Sequence, residues 1–167
     1  MSYPLGLPQL SSRGKPVAMD IDGLLKGLSI LLVEDNPDSA ELFSFILKIA
    51  EAQVVTVALA SQALQILENY KPDILLSNIV LPDLDGYSLV KQAYAYEEAR
   101  GRKIIAVAVT ESAREINRSK ARLAGFYTYI PKPIEPVTLI LELANLTGRI
   151  TNLDTPRSKE TGILRTE

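Results

Sequence analysis

The sequence predicts an α/β fold in which a parallel five-stranded sheet is covered by helices on both faces. Short apolar runs alternate with stretches of helical periodicity, which is the pattern of parallel strands joined by crossover helices. The runs lack polar–apolar alternation, so both faces of each strand are expected to be buried. The 167 residues, 47% of them hydrophobic, suffice for the core of one domain with tails.

Five apolar runs are predicted to be the strands. They cover residues 29–33, 54–58, 74–78, 104–109 and 126–130. Each run is about as long as a typical strand and is followed by a polar or turn-forming residue. The sequence therefore predicts five short parallel strands with a crossover helix between successive ones.

The first helix is predicted to begin at Asn36-Pro37, because a capping side chain precedes a proline at the first helical position. Ser61 is the predicted cap of the second helix, and Asp85-Gly86 leads into the third. The residues expected on the inward face of the first helix are Leu42, Phe43, Ile46, Leu47 and Ile49.

The last two helices are predicted from their ends. The fourth covers residues 111–124 and stops at Gly125, which suits a left-handed C-cap. The fifth begins at Glu135-Pro136, where proline again occupies the first helical position. Together with the strands, these helices complete five strand–helix units.

The organisation predicted from composition is one domain between two tails. Residues 1–27 form a largely irregular arm, although a short ordered piece near 19–26 is expected to pack through Ile21, Leu24 and Leu25. Residues 28–147 form the domain. Residues 148–167 form a polar C-terminal tail, too short for a second domain.

Composition excludes several classes of function. The chain has neither cysteine nor histidine, which removes disulfides, Cys/His zinc sites and every Ser-His or Cys-His catalytic arrangement. A net charge of −2 without a basic block argues against nucleic-acid binding. The apolar runs are too short for a membrane span, and the N-terminus lacks a signal-peptide pattern. We expect a soluble, cytoplasmic protein without nucleic-acid or membrane partners.

Polar side chains follow the predicted strands at their carboxyl ends. Glu34-Asp35 follow the first strand, Asn78 ends the third, Thr110 follows the fourth and Lys132 lies just beyond the fifth. Right-handed crossovers bring these positions to one edge of the sheet, where ligands bind at the reversal of strand order. The sequence therefore predicts one crevice that contains all five residues.

Residues 28–147 resemble the receiver domain of two-component response regulators, of the chemotaxis type. The resemblance rests on four motifs in order: Val33-Glu34-Asp35-Asn36, Asn78 with Leu81-Pro82-Asp83-Leu84-Asp85-Gly86-Tyr87, Thr110, and Tyr129-Ile130-Pro131-Lys132-Pro133. It implies a flavodoxin-like fold and bacterial phosphorelay signalling.

The resemblance also implies roles for the residues of the crevice. Glu34 and Asp35 would be carboxylate ligands of Mg²⁺, and Thr110 would contact a phosphoryl oxygen. Lys132 would pair with the acceptor carboxylate, and Tyr129 matches the aromatic residue that changes rotamer when receivers switch. The bond between Lys132 and Pro133 resembles the cis peptide of the family.

Asn78 stands where the family has its phosphoacceptor aspartate. An amide is a poor nucleophile compared with a carboxylate, so we expect no phosphorylation at this position. Asn78 also removes one charge from the metal site, so Mg²⁺ binding is expected to be weak, with Glu34, Asp35 and the Asn78 amide oxygen as its ligands. Lys132 is expected to turn to the acidic pair, and the charge of Glu111 is expected to repel a phosphoryl group.

The leading hypothesis is a stand-alone pseudo-receiver: a non-enzymatic interaction module that works without its own phosphorylation. Its partner would be a sensor histidine kinase or an output protein, contacted through the fourth helix, fifth strand and fifth helix, and homodimer formation stays open. One alternative is an ordinary phosphorylatable receiver that carries an engineered Asp-to-Asn change. A weaker one is a nucleotide- or flavin-binding module, which lacks a glycine-rich phosphate motif here.

Two further groups of residues have a structural and a functional interpretation. Asp83 and Asp85 are alternative phosphoacceptors, but their place in a loop favours turn formation. Arg114, Arg118 and Arg122 recur every four residues and predict a basic stripe on the fourth helix, either solvated or used for docking.

Overall fold

Strands and helices alternate along the chain, as the apolar runs and caps predict. A computed structural model describes residues 9–10, 16–17, 21–111, 116–150 and 162–163. In chain order the elements are β1 (Gln9–Leu10), β2 (Pro16–Val17), β3 (Ser29–Val33), α1 (Pro37–Ile49), β4 (Gln53–Val57), α2 (Ala60–Ile66), β5 (Ile74–Asn78), α3 (Gly86–Glu98), β6 (Ile105–Thr110), α4 (Arg118–Ala124), β7 (Phe126–Pro131), α5 (Pro136–Leu146) and β8 (Gly162–Ile163).

The main sheet has the order β4-β3-β5-β6-β7-β8. Its first five strands are parallel, which confirms the predicted five-stranded parallel sheet. The short β8 is added in antiparallel orientation at the outer edge of β7. Strand order reverses between β3 and β5, so the crevice expected from the sequence lies at the carboxyl ends of these two strands.

Two apolar clusters lie on opposite faces of the sheet. Successive residues of β3 alternate between them: Ile30 and Leu32 belong to the cluster under α1 and α5, whereas Leu31 and Val33 belong to the cluster under α2, α3 and α4. Both sets are fully buried. This two-sided burial explains why the strand sequences are continuously apolar.

The packed unit extends beyond the predicted limits of 28 and 147. Leu25 is fully buried in the cluster under α1 and α5, and its backbone N–H donates to the Ala50 carbonyl over 2.9 Å. Ile21, Leu24 and Ile150 pack against the same cluster. The expectation that an ordered piece of the arm packs on the domain is therefore confirmed. The arm also contributes the antiparallel pair β1 and β2.

Helix α1 begins where it was predicted, but its apolar stripe is wider than the buried face. The Asn36 side chain caps the helix by accepting from the Ser39 N–H over 3.0 Å. The inward prediction is wrong for Leu42 and Ile49, which are 50% and 45% exposed, and Phe45 beside them is 63% exposed. They lie three and four residues apart, so they form a second, solvent-facing stripe next to the buried one.

The predicted starts of α2 and α4 are wrong. Helix α2 begins at Ala60 rather than after Ser61, because the Gln62 side chain accepts from the backbone N–H groups of the two residues before the helix. Helix α4 begins at Arg118 rather than at residue 111, since Asn117 provides the cap. Residues 112–115 lie outside the described ranges. Gly125 ends α4 with a φ of 117°, as predicted.

Helices α3 and α5 begin at the predicted caps, after Asp85 and Glu135 respectively. Within the described ranges, no helix combines the length and apolarity that a membrane span requires.

Candidate functional site

The carboxyl edge of the sheet brings the predicted polar residues together in one cavity. The cavity has a volume of about 350 Å³, and its walls include Asp35, Asn78, Thr110, Glu111 and Lys132. Glu34 joins them through side-chain hydrogen bonds. The convergence follows from the topology, because each residue ends or follows a parallel strand.

Glu34 connects the other groups of this crevice. One of its carboxylate oxygens, Oε1, accepts from the Lys132 ammonium at 2.7 Å. Its other oxygen, Oε2, accepts from the Asn78 side-chain amide, whose nitrogen also donates to Asp35 Oδ1 at 3.1 Å. The amide of Asn78 thus joins both members of the acidic pair, and both oxygens of Glu34 are engaged.

The ion pair between Lys132 and Glu34 lies largely out of solvent, with side-chain exposures of 12% and 1%. Burial raises the pKa of Glu34, while the Lys132 ammonium limits the rise. Burial acts against the charge of Lys132 as well, but its hydrogen bonds to Glu34 and to Glu111 raise its pKa overall. The contact of Lys132 with Glu34 agrees with the expectation that Lys132 turns to the acidic pair. Lys132 also donates to Glu111 Oε1 over 3.2 Å, a contact that the sequence analysis did not predict.

The donor set of the crevice suits a hard divalent cation only in part. Carboxylate and amide oxygens are the ligands that Mg²⁺ accepts, and Glu34 and Asp35 provide two charges. However, the Asn78 N–H group points to these carboxylates. A cation here would be held by Glu34, Asp35 and the Asn78 amide oxygen after the amide had turned over. Within the described ranges, no three His, Cys, Asp or Glu side chains are arranged so that they could together hold a metal ion.

Thr110, the last residue of β6, lies next to Lys132, which directly follows β7. Thr110 is buried, and its carbonyl accepts from the Lys132 backbone N–H over 2.7 Å. The peptide bond between Lys132 and Pro133 is cis, as the resemblance implies. Thr110 and Lys132 line the cavity together with Asp35 and Asn36.

Tyr129 does not line the cavity, because its ring is buried under α4 and only 2% of its surface is exposed. The hydroxyl accepts from Arg118 Nη2 at 2.9 Å, and the guanidinium lies 5.5 Å from the ring centroid. Arg118 therefore holds the tyrosine inward and is not simply part of a basic stripe. Arg122 is exposed, and Arg114 lies outside the described ranges. No local signal in the sequence indicated the Arg118 contact.

The second acidic pair, Asp83 and Asp85, caps helices instead of facing the cavity. Both oxygens of Asp83 accept from backbone N–H groups at the start of α2, at 3.0 and 2.9 Å. The hydrogen bond from the Ser61 N–H is the main cause of a lowered Asp83 pKa of about 2. Asp85 caps α3 by accepting from the Ser88 N–H at 2.8 Å, and this bond lowers its pKa.

Gly86 fixes the approach of α3 to the end of β5. A Cβ atom at this position would lie 2.4 Å from the Asn78 carbonyl oxygen and 2.8 Å from the Ile79 Cα. The Gly86 N–H also donates to the Ile79 carbonyl over 2.6 Å. Only glycine permits this contact, so the sequence Asp85-Gly86 positions the backbone of Asn78 as well as starting α3.

Residues 30–144 match the family model of the response regulator receiver domain. The match covers more than half of the chain, and the chain belongs to this family. It is a receiver domain of two-component signalling with the flavodoxin-like fold that the resemblance implied.

The chain is also similar to individual relatives. The chain is 38% identical over 117 residues to a 14.6 kDa protein of Leptolyngbya boryana, which covers 70% of this chain and 87% of that protein. It is 28% identical over 120 residues to the polar-differentiation response regulator DivK of Brucella ovis, with coverage of 72% and 96%.

Among solved structures, the receiver domain of a sensor histidine kinase from Pseudomonas aeruginosa is similar, with 32% identity and a TM-score of 0.64. The similarity covers 72% of this chain and 96% of that domain. That structure contains a magnesium ion coordinated in its active site cleft. In this chain, the side-chain amide of Asn78 donates to both carboxylates of the crevice.

Proposed function

We propose that this receiver domain is a protein-interaction module that works without phosphorylation of residue 78. The observation that carries the proposal is the Asn78 amide, which donates to both Glu34 and Asp35. An amide cannot form the acyl phosphate that a carboxylate forms. In its place, the neutral N–H group donates to both carboxylates of the acidic pair, and the Lys132 ammonium forms an ion pair with Glu34.

The surroundings of Asn78 support the same proposal. Glu111 contributes a carboxylate to the cavity wall, with its side chain 76% exposed. A phosphoryl group at residue 78 would meet this charge, and it would have to compete with Glu34 and Glu111 for Lys132.

An interaction module needs an exposed surface that a partner can cover. Helix α1 provides one through Leu42, Phe45 and Ile49, which follow each other at helical spacing and remain exposed. Leu42 and Phe45 line a shallow groove of about 330 Å³ together with Asp38 and Glu41. We propose that a signalling partner, a sensor kinase or an output protein, contacts this apolar face. Basic residues of the partner would face Asp38 and Glu41 at the rim of the contact.

A titration followed by amide NMR tests the proposal. Mg²⁺ and then beryllofluoride are added to this chain and to Asn78→Asp, with Asn78→Ala as the control that removes the amide without adding charge. We expect no beryllofluoride response from the unaltered chain. We expect Asn78→Asp to bind Mg²⁺ at least about tenfold more tightly, because a third carboxylate oxygen and a third charge face the ion.

The same experiment distinguishes the second candidate, an ordinary receiver disabled by a single Asp-to-Asn change. Thr110 and Lys132 on the cavity wall support that candidate, because the resemblance gives them the roles of phosphoryl contact and partner of the acceptor carboxylate. It requires Asn78→Asp to respond to beryllofluoride with shifts that reach Thr110 and Tyr129. A beryllofluoride response in the unaltered chain would contradict both candidates.

A further inference from the structure

A second cavity, with a volume of about 720 Å³, lies at the amino edge of the sheet. Its wall includes Asp73, Ile105 and Gly125, which begin or directly precede β5, β6 and β7. The crevice with Asn78 lies at the other end of these strands, roughly 17–20 Å away for strands of this length. The volume falls within the range of small-molecule sites, roughly 300–1,000 Å³. The cavity is therefore large enough for a small ligand that does not reach the crevice.

Two cationic side chains, Lys103 and Arg149, line this cavity. Arg149 Nη2 donates to the Lys26 carbonyl over 3.3 Å, and its backbone N–H donates to the Ala144 carbonyl over 2.8 Å, which holds the residue just beyond the end of α5. Among the residues that the structure describes, neither cation forms an ion pair. A guanidinium and an ammonium each have several N–H donors, so both retain donors for an anion. Such a pair suits a phosphate group, because arginine contacts two of its oxygens at once and lysine adds a point charge.

Two tyrosine side chains give the same cavity a flat apolar surface. Tyr94 of α3 and Tyr127 of β7 both line it, and both are half-buried. A Cβ atom at Gly125 would lie 3.3 Å from Tyr94 Cδ2, so glycine lets the Tyr94 ring lie close against the backbone at the start of β7. Aromatic side chains contact other flat rings in offset or edge-to-face arrangements. The cavity therefore combines a surface for a flat ring with two cations.

Asp73 adds a carboxylate to the cavity wall. Its Oδ2 atom accepts from the Ser29 N–H at 2.9 Å, and its backbone bonds to Ser29 and Ile105 fix it between β3 and β6. Its other oxygen accepts no hydrogen bond within the described ranges. A carboxylate repels a phosphate group beside it but accepts hydrogen bonds from hydroxyl groups. The wall therefore favours a ligand that has hydroxyl groups as well as a phosphate and a ring.

We propose that the cavity at the amino edge binds a nucleoside monophosphate. Lys103 and Arg149 hold its phosphate, and Asp73 accepts hydrogen bonds from the ribose hydroxyls. The base lies against the rings of Tyr94 and Tyr127. The site shares no residue with the crevice, so it stands or fails independently of the function proposed above.

Adenosine 5′-monophosphate serves as the probe, added to the isotope-labelled full-length chain while the amide NMR signals are followed. We expect shifts at Asp73, Ile105 and Gly125 and none at Asn78 and Thr110. Adenosine, ribose 5-phosphate and inorganic phosphate are the comparison ligands. Each of them lacks part of the proposed contacts, so each is expected to bind at least about tenfold more weakly than the probe.

The variant Lys103→Gln tests the phosphate contact, because this side chain is exposed and its replacement leaves the core untouched. We expect it to weaken the binding of adenosine 5′-monophosphate about tenfold and to leave the binding of adenosine unchanged. Lys91→Gln is the matched control, since it removes an exposed lysine of α3 that lies outside this cavity. The control is expected to bind both ligands as the unaltered chain does.

Three results would overturn the proposal. The first is an absence of shifts at Asp73, Ile105 and Gly125 at millimolar adenosine 5′-monophosphate, including a response confined to Asn78 and Thr110. The second is equal affinity of Lys103→Gln and Lys91→Gln for this ligand. The third is equal affinity of the unaltered chain for adenosine 5′-monophosphate and for inorganic phosphate, which would mean that the cavity attracts any small anion through charge alone.

Discussion

Two acidic pairs lie near the same edge of the sheet in opposite environments. Glu34 of the first pair is buried and pairs with an ammonium and an amide, and burial raises its pKa. Asp83 of the second pair is exposed and accepts two backbone N–H groups, which lower its pKa to about 2. The comparison shows that the partner and the degree of burial, not the residue type, decide what a carboxylate does.

The difference has a consequence for function. Glu34, the buried member of the first pair, is held by the side chains of Asn78 and Lys132, which lie 44 and 98 residues away along the chain, so its environment depends on the tertiary structure. The exposed pair stabilises the starts of α2 and α3, and so it positions the loop that begins at Asn78. The first pair contributes its carboxylates to the crevice, and the second pair stabilises the helices that follow the neighbouring loops.

The largest expected effect is from breaking the ion pair between Lys132 and Glu34 with Lys132→Met. Glu34 would keep its burial but lose its ammonium, which costs on the order of 3–5 kcal/mol in the free energy of unfolding at pH 7. The pKa of Glu34 would rise further in the folded state. A carboxyl group whose pKa is raised in the folded state stabilises the fold below its ordinary pKa, and this stabilisation is lost as pH rises. The difference in the free energy of unfolding between the variant and the unaltered chain should therefore shrink as pH falls below about 5. Urea unfolding between pH 4 and pH 8 measures this.

Lys132→Arg is the matched control, because it keeps the charge and is expected to retain most of the stability. A Lys132→Met variant that is equally destabilised at pH 4 and pH 8 would contradict the assignment of the deficit to ionised Glu34.

A smaller effect is expected at the exposed pair. Asp83→Ala removes both acceptors at the start of α2, and Asp83→Asn keeps one acceptor without the charge. The folded pKa of Asp83 is lowered to about 2 from an ordinary value of 3.8, so its contribution is present above the ordinary pKa and is lost as pH falls through the folded one. The stability difference between the unaltered chain and Asp83→Asn should therefore be constant above about pH 5 and should vanish toward pH 2.

Thermal unfolding of both Asp83 variants across this pH range makes the measurement. If the difference between the unaltered chain and Asp83→Asn increased toward pH 2, the direction of the pKa shift, and with it the role of Asp83 as a helix cap, would be wrong.

The smallest effect is expected from Glu111→Gln. Its carboxylate also pairs with Lys132, but the side chain is 76% exposed, so water screens the interaction. We expect a loss below about 1 kcal/mol in the free energy of unfolding, decreasing further in high salt. Urea unfolding at low and high salt, beside Lys132→Met, checks it. A loss as large as that of Lys132→Met would mean that Glu111, and not Glu34, is the main partner of the ammonium.

Local chemistry explains which predictions succeeded. The starts of α1, α3 and α5 and the end of α4 were predicted because each depends on a cap or a proline within a few residues of the helix. The start of α2 was missed, since part of its capping comes from Asp83, which is distant in sequence. The start of α4 was missed because the helical pattern in the sequence reaches back to Glu111. The helix begins later, where the Asn117 side chain caps it by accepting from the Lys120 N–H.

The same distinction applies to the site. Sequence order and strand periodicity placed Glu34, Asp35, Asn78, Thr110 and Lys132 at one edge, and the structure brings all five together. The direction of the Asn78 amide and the Arg118 contact with Tyr129 required the packed positions of loops and helices. The roles of these residues in signalling stay predictions for the experiments proposed above.

The sequence by itself determined the family, the order of the parallel strands' polar ends, most helix caps and the identity of the amide at residue 78. These features depend on residues that are neighbours along the chain or on a periodicity that burial imposes. Only the tertiary structure decided that Asn78 joins the acidic pair, that Tyr129 is held inward, that α1 exposes a second apolar stripe and that the tail covers β7. Those contacts join segments that are far apart in sequence, and local patterns contain no information about the distances and angles between such segments.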